Sequence, residues 1–422
     1  MRLALRLFIP LVFCAGLVAQ GEIYRRGLAE QPIRSDGISY HVYLPSIVLH
    51  GSPRLWATAD DQYGGAYPEH TGILRWPNTS WWLNPHPIGV AVLMLPFFLI
   101  AHALTLWSNL PPDGFSLYYQ VAATLGGLTY GTAGLAILSR VLQRHVPHGV
   151  VLATLITITF GTNYFHYLTF DATFSHTFAF FLVAALIWIT ERWWTSPTPS
   201  SAVTLGLVVG TLFLVRHSHL LLILIPALYR PSELWARRGS ITLAGLVALA
   251  AAFPQLAIYK AVTGAWIVSP YSLLPATMSF GSPEIAGVLF TLPKGLFFWS
   301  PVLLTSVAGV FLLRGDTRAF RWSTVAVFLL LTWLVGSWYD WQFGGSYGHR
   351  GFTDVLPLFA LPMAAAFDRL RRTSTPIRTV GAGAIGAAVM LSTFQMLQYW
   401  NGLIPFQNTT WSDYSRIFLQ WP

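Results

Sequence analysis

Charge is what this sequence has least of. Only 10% of its 422 residues are Asp, Glu, Lys or Arg, while 54% are hydrophobic. A soluble domain carries about 25% charged residues, so a water-soluble globule is excluded and a polytopic membrane protein is implied. Cysteine is nearly absent: Cys14 stands alone inside the first apolar run, which rules out an intramolecular disulfide and a cysteine-based zinc site. Lysine occurs only as Lys260 and Lys294. Long basic runs are missing too. The net charge of +9 is spread through short gaps between apolar segments, and no nucleic-acid partner is expected. No convincing internal repeat is present, which weakens an inverted-repeat transporter fold.

What is there is apolar and aromatic. Runs suited to membrane helices cover 3–19, 88–107, 117–139, 149–167, 174–190, 202–215, 219–229, 241–258, 296–313, 322–338, 353–367 and 379–398. Runs 202–215 and 219–229 are short and are expected as two spans joined at Arg216-His217-Ser218-His219. The expected fold is all-α, a single integral-membrane domain over 1–422 with 11–12 membrane helices. Its parts are a first span 1–19, a first outer loop 20–116, further spans over 117–400 and a short outer tail 401–422. Leu3–Ala19 follows Arg2 and Arg6 and fits an uncleaved first span better than a signal peptide, because no clear small-x-small cleavage site precedes Gln20.

Charge asymmetry sets the expected orientation. With the N-terminus cytoplasmic and 88–107 lying in the interface or re-entering, the inside gaps hold Arg140, Arg192, Arg237, Arg238, Arg314, Arg318, Arg371 and Arg378. The outer loops then hold most acids, among them Asp36, Asp113, Asp171, Glu284, Asp340 and Asp354. A full crossing by 88–107 would invert every later loop. The rule therefore favours eleven full spans and an outer C-terminus.

Segment 35–89 is a polar, aromatic stretch of a kind that carries function more often than mere connection. It supplies Asp36 with Tyr40 and His41, then Asp60 and Asp61, Glu69 and His70, then Asn84 and His86. The same face is expected to receive Asp171 and His176, Arg216 with His217 and His219, Tyr271, Lys294 and Trp299, and finally Asp340, Tyr347, His349, Arg350 and Asp354. Ionisable groups near hydrocarbon cost roughly 2.5–3.5 kcal/mol each at a helix centre, so their convergence is informative. Carboxylates there suit a general base or a divalent metal, and Arg or Lys suits a phosphate. Plainer roles stay open: Asp36 as the turn residue of Ser-Asp-Gly, Arg216 snorkelling to headgroups, and the Trp-rich stretches 76–82 and 338–341 as interfacial belts.

The ordered blocks SDGISYHVYLPSIVLHG, NPHPIG, FGTNYFHYLTFDATFSHTFAFF, LFLVRHSHLLLILIP, KGLFFWSPVLL and GGSYGHRGFTDVLPLFAL resemble the bacterial integral-membrane glycosyltransferases of the GT-C type. These are related to the dolichyl-phosphate-mannose protein mannosyltransferases and the lipid-A aminoarabinose transferases. The resemblance implies a GT-C-like fold with short juxtamembrane helices in the first outer loop. It also implies a multi-pass protein of the bacterial inner (plasma) membrane that moves a hexosyl or pentosyl group from a polyprenyl-phosphate sugar, beside membrane lipid, to a lipid, glycan or protein acceptor at the outer face, with Asp36 as general base or acceptor-positioning acid. On the same basis Asp36 and Asp171 are the catalytic acids and the candidate ligands of a divalent metal, whose involvement stays open. Tyr40, His86, His176, Arg216, Lys294, Tyr347, Arg350 and Asp354 are the substrate-binding candidates, with Arg216 and Arg350 facing the phosphate leaving group. Two features depart from the pattern: Gly37 replaces the second acid of many first-loop motifs, and His86 stands where a lysine often precedes proline. Alternative functions are a surface-polysaccharide polymerase or ligase, and a transporter or flippase of lipid-linked sugar.

Overall fold

The computed structural model describes residues 1–421. Among them every apolar run of the sequence is helical, in eight helices long and apolar enough to cross a membrane and in four shorter ones. The elements are α1 Arg2–Arg25, α2 Asp36–His41, α3 Tyr43–Val48, α4 Trp56–Tyr63, α5 Gly89–Leu106, α6 Leu117–Leu142, α7 His148–Phe160, α8 Tyr164–Thr169, α9 His176–Thr195, α10 Pro199–Val215, α11 Leu224–Tyr229, α12 Arg238–Thr263, α13 Ile285–Phe290, α14 Leu296–Trp299, α15 Leu304–Gly309, α16 Arg321–Ser337, α17 Leu356–Arg371, α18 Thr375–Trp400 and α19 Trp411–Ile417. A two-stranded antiparallel ribbon, β1 Leu74–Arg75 with β2 Trp82–Leu83, sits in the first long loop. Large apolar side chains such as Leu11, Leu99, Leu249, Phe253, Leu329 and Met390 stay exposed around the bundle. In water such a surface would aggregate; here it faces lipid, and the chain is a multi-pass membrane protein.

Small residues let the helices close on one another. Gly206 and Gly210 of α10 lie against the carbonyls of Ala244 and Ala248 of α12, with no room for a Cβ. This four-residue spacing of glycines is the usual device for close contact between membrane helices. Helix α1 runs antiparallel to α6: Gly16 packs on Leu128, and the Gln20 amide donates to the carbonyl of Thr124 at 3.4 Å.

Followed through such contacts, the chain passes from one end of the bundle to the other eleven times. The passes are α1, α6, α7, α9, α10, 217–229, α12, 285–312, α16, 350–371 and α18. The run 296–313 is not one helix. It breaks at Ser300-Pro301 and continues as short helical turns, because proline lacks the N–H and clashes with the preceding turn. The run 149–167 likewise breaks after α7, at Gly161.

Helix α5 packs beside α6 and α10. Gly89, in its first turn, presses on the backbone of Leu214 and Val215. Near its other end His102 meets the Tyr119 hydroxyl at 2.6 Å, close to the start of α6. Tyr130 of α6 donates to the carbonyl of Leu93 at 3.0 Å, so α5 lies antiparallel along the first half of α6, from about its middle to its start. The end of the bundle away from Asp36 collects Arg140, Arg144, Arg192, Arg237, Arg314, Arg321, Arg371 and Arg378, in or beside the turns that join the passes.

Candidate active site

The site begins with a distorted residue. Ser35 holds φ 47° and ψ −131°, a conformation that a non-glycine residue adopts at a cost of about 1–3 kcal/mol. The bend turns the chain so that Asp36 opens α2. Gly37 follows because a Cβ there would strike the Thr173 side chain. Asp36 does more than shape a turn: its Oδ2 accepts from Nη1 of Arg350 at 2.7 Å, and its side chain is only 17% exposed. Among the described residues no side chain or backbone group donates to its other oxygen. Burial alone would raise the Asp36 pKa, but the Arg350 guanidinium, helped by Arg216, holds it at about 2.

A second carboxylate is a hub. Asp354, with its side chain 2% exposed, accepts from Nδ1 of His176 at 2.6 Å, from Nε2 of His219 at 2.9 Å and from Nη1 of Arg216 at 3.2 Å. Arg216 comes here because α10 ends at Val215 and the next residue is extended, at φ −155° and ψ 128°. Phe343 stands between the two arginines, with Arg216 Cζ 5.9 Å and Arg350 Cζ 5.8 Å from its ring centre. It too is left-handed, at φ 56°.

The third acid is fully engaged. Asp171 Oδ1 accepts from Nη2 of Arg34 at 2.8 Å and Oδ2 from Nε2 of His166 at 2.9 Å. The indole N–H of Trp400 donates to Nδ1 of His166 at 2.9 Å. An indole can only donate, so that imidazole is neutral, with its proton on Nε2 pointing at Asp171. The buried His166 is a partner that sequence reasoning missed, and so is Arg34. The spacing of five between His166 and Asp171 was the available signal, since the α8 turn folds one back on the other.

Beside these groups lies a cavity of about 210 Å³, with Tyr40, His86, Arg216, Asp354, Tyr271 and Trp338 in its walls. Asp36 and Arg350 are not in its lining, but Arg350 Cζ lies 5.8 Å from the ring centre of the lining residue Phe343. The Tyr40 hydroxyl donates to Ser175 Oγ at 3.0 Å, and its ring meets His86 edge-on, with centroids 4.7 Å apart. Nδ1 of His86 is buried without a partner. Burial pushes the His86 pKa down to about 4, so the ring is neutral at pH 7.

Two of the expected binding residues point elsewhere. Lys294 donates to the carbonyls of Ser346 and Phe406, the latter at 2.8 Å, and thereby ties the 339–349 loop to the C-terminal tail. Tyr347 is buried and donates to the carbonyl of Ser392 at 2.6 Å. Both serve the scaffold around the cavity. Asp60, Asp61, Glu69 and His70 are exposed and do not line the cavity. Among the described residues no three His, Cys, Asp or Glu side chains gather as a metal site. Asp36 is paired with a cation and Asp171 is saturated, so the donor set does not fit a divalent metal.

No known protein-family profile and no curated protein matches the sequence. Solved structures do share its architecture. ArnT from Cupriavidus metallidurans, bound to undecaprenyl phosphate, superposes with TM-score 0.59 and 13% identity over 95% of this chain and 66% of its own. Its apo state gives TM-score 0.54 at 12% identity, over 96% and 66%. The archaeal oligosaccharyltransferase AglB from Archaeoglobus fulgidus, in complex with an inhibitory peptide and a dolichol-phosphate, gives 0.53 at 10% identity, over 96% and 56%. This chain thus spans slightly less than two thirds of the ArnT length. At these identities the likeness establishes the fold, and the fold is the all-α, GT-C-like one expected from the sequence.

Proposed function

We propose that this chain, folded as a GT-C glycosyltransferase is, moves a sugar from a polyprenyl-phosphate donor to an acceptor hydroxyl or amide at the membrane face that carries Asp36. The observation that supports this best is the Asp36–Arg350 pair, close enough to Arg216 and His86 of the cavity lining for both to act on the Asp36 carboxylate. A nucleophile-activating acid and two phosphate-binding cations stand within one constellation.

In this reading the acceptor oxygen or nitrogen attacks the anomeric carbon while the bond from that carbon to the phosphate oxygen breaks. Polyprenyl phosphate departs, and the acceptor proton passes to Asp36. Arg216 and Arg350 neutralise the charge that develops on the leaving phosphate. Asp354 holds Arg216 in place and is itself fixed by His176 and His219, so all three are positioning residues. Tyr40, His86 and Trp338 offer rings and one neutral imidazole to the sugar. Asp171 fixes Arg34 and the α8–α9 turn and takes no part in proton transfer. A carboxylate held at about 2 is a feeble base, so the role of Asp36 depends on Arg350. Donor phosphate that draws the guanidinium away strengthens the base at the moment it is needed.

The orientation proposed with this activity puts the N-terminus and the basic end in the cytoplasm, the site on the outer face of a bacterial inner membrane, and α5 in the outer interface. The test is transfer from a panel of polyprenyl-phosphate sugars by purified wild type and Asp36→Asn. Transfer by the first and its loss in the folded second supports the assignment. Equal transfer by both removes Asp36 from the chemistry.

A further inference from the structure

Toward the basic end of the bundle, α7, α17 and α18 line a second groove, of about 680 Å³, that shares no residue with the first cavity. Its walls are apolar: Ile156 on α7, Phe367 and Leu370 on α17, Ile385 and Met390 on α18. It is blind toward the site, because Thr393 of α18 donates to the carbonyl of Phe160 at 3.0 Å and closes α18 onto α7. At its other end stand Arg371 and Arg378. Arg371 and Arg372 share the single carboxylate of Asp368, at 2.6 and 2.7 Å. The contact of Arg378 is only the Thr375 hydroxyl, at 3.5 Å. Net positive charge is therefore left at the mouth.

We propose that this groove binds one anionic phospholipid of the leaflet at the basic end, with an acyl chain along α18 and the headgroup phosphate between Arg371 and Arg378. The dimensions agree. From Arg378 to Met390 α18 rises about 18 Å at 1.5 Å per residue. Half of a hydrocarbon core of about 30 Å is about 15 Å. The groove is thus one leaflet deep, and its charge sits where a headgroup lies. A second copy of this chain fits worse, since its own basic end at the same depth would set arginine against arginine. The site is separate from the cavity beside Asp36, and the inference stands whatever reaction that cavity supports.

The test uses the full chain in nanodiscs made with equal amounts of phosphatidylglycerol and phosphatidylethanolamine, released for native mass spectrometry. Wild type is expected to retain one phosphatidylglycerol with a preference of about 5- to 30-fold over the zwitterionic lipid. Arg371→Gln with Arg378→Gln is expected to bring that preference to parity. Arg318→Gln, at the same end but away from the groove, is expected to leave it unchanged. Gly386→Trp fills the groove without an internal clash, since a Cβ there meets no atom within 4 Å, and is expected to lose retained lipid altogether. Equal retention of both lipids by wild type, an unchanged preference in the double variant, or lipid-free dimers from wild type would each overturn the proposal. Unfolding temperatures equal to wild type confirm that the variants report on the groove.

Discussion

Arg350 donates to Asp36 at 2.7 Å, although 314 positions separate the two in the chain. The pair joins the loop after α1 to the one after α16 and sets the acidity of the proposed base. Because the folded pKa of about 2 lies below the ordinary 3.8, the pair contributes fully to stability above about pH 4 and loses that contribution as pH falls through 2. In the free enzyme Asp36 is therefore ionised throughout the neutral range. The kcat/KM profile for sugar transfer should show no acid limb from Asp36 between about pH 5 and pH 8. A limb in that window which Asp36→Asn removes would show that Arg350 does not hold the carboxylate down in the free enzyme.

Asp36 and Asp171 should separate cleanly in kinetics. Asp36→Asn is expected to lower kcat by about 10²- to 10⁴-fold, the usual worth of a positioned acid or base. Asp171→Asn strands Arg34 and should show mainly as a lower unfolding temperature. Its kcat per folded molecule should stay within about 10-fold of wild type, as befits a group that does not exchange the proton. A collapse of kcat in folded Asp171→Asn would make Asp171 a reacting acid after all.

Asp354 accepts three hydrogen bonds, and its loss leaves Arg216 without its counter-charge and two histidines without their acceptor. Asp354→Asn is expected to destabilise the protein by about 3–5 kcal/mol, the usual cost of removing one member of a buried pair. Urea or thermal unfolding in detergent reads this directly. Destabilisation below about 1 kcal/mol would place the hub in solvent-like surroundings.

Much of this arrangement was legible in the sequence, and the rest fails for identifiable reasons. Helices were readable because burial in lipid demands long apolar runs, and each run proved helical. The breaks at Gly161 and Pro301 were not, since hydropathy is blind to where a backbone stops following its apolar pattern. Asp36, Arg216, Arg350 and Asp354 were readable because charge is rare here and each one asks for a reason. Their partners were harder. His166 sits in an aromatic block that reads as core, and its tautomer depends on Trp400, 234 positions away. Phe343 reads as an ordinary loop aromatic. Only its backbone angle and the two flanking guanidinium groups mark it out.

Lys294 shows the same limit from the opposite side. A rare lysine invites a ligand, yet this one is buried against two carbonyls. Lys294→Met should cost about 1–3 kcal/mol through the two carbonyls left unpaired, read by thermal unfolding in detergent. The KM for donor should stay unchanged. A raised donor KM with unaltered stability would return Lys294 to the binding site.

Helix α5 decides which face every later loop occupies, and its ends give the cleanest test of the topology. Cys14 is the only native cysteine, so a Cys14→Ser background is free of thiols. In that background a cysteine at Asn109 lies just beyond α5, and one at Asp316 lies at the basic end, between the 285–312 pass and α16. If the basic end is cytoplasmic, a membrane-impermeant maleimide added to intact cells should label position 109 and leave position 316 unlabelled until the membrane is broken. If α5 does not cross, a cysteine replacing the exposed Ser80, before the helix, should label like position 109. Labelling of 80 and 109 from opposite sides would make α5 a true crossing and move the Asp171, Arg216 and Asp354 groups to the other face from Asp36. The 2.7 Å contact between Asp36 and Arg350 forbids that arrangement within one folded chain. Agreement between the two labelling patterns therefore tests the fold itself as well as its orientation.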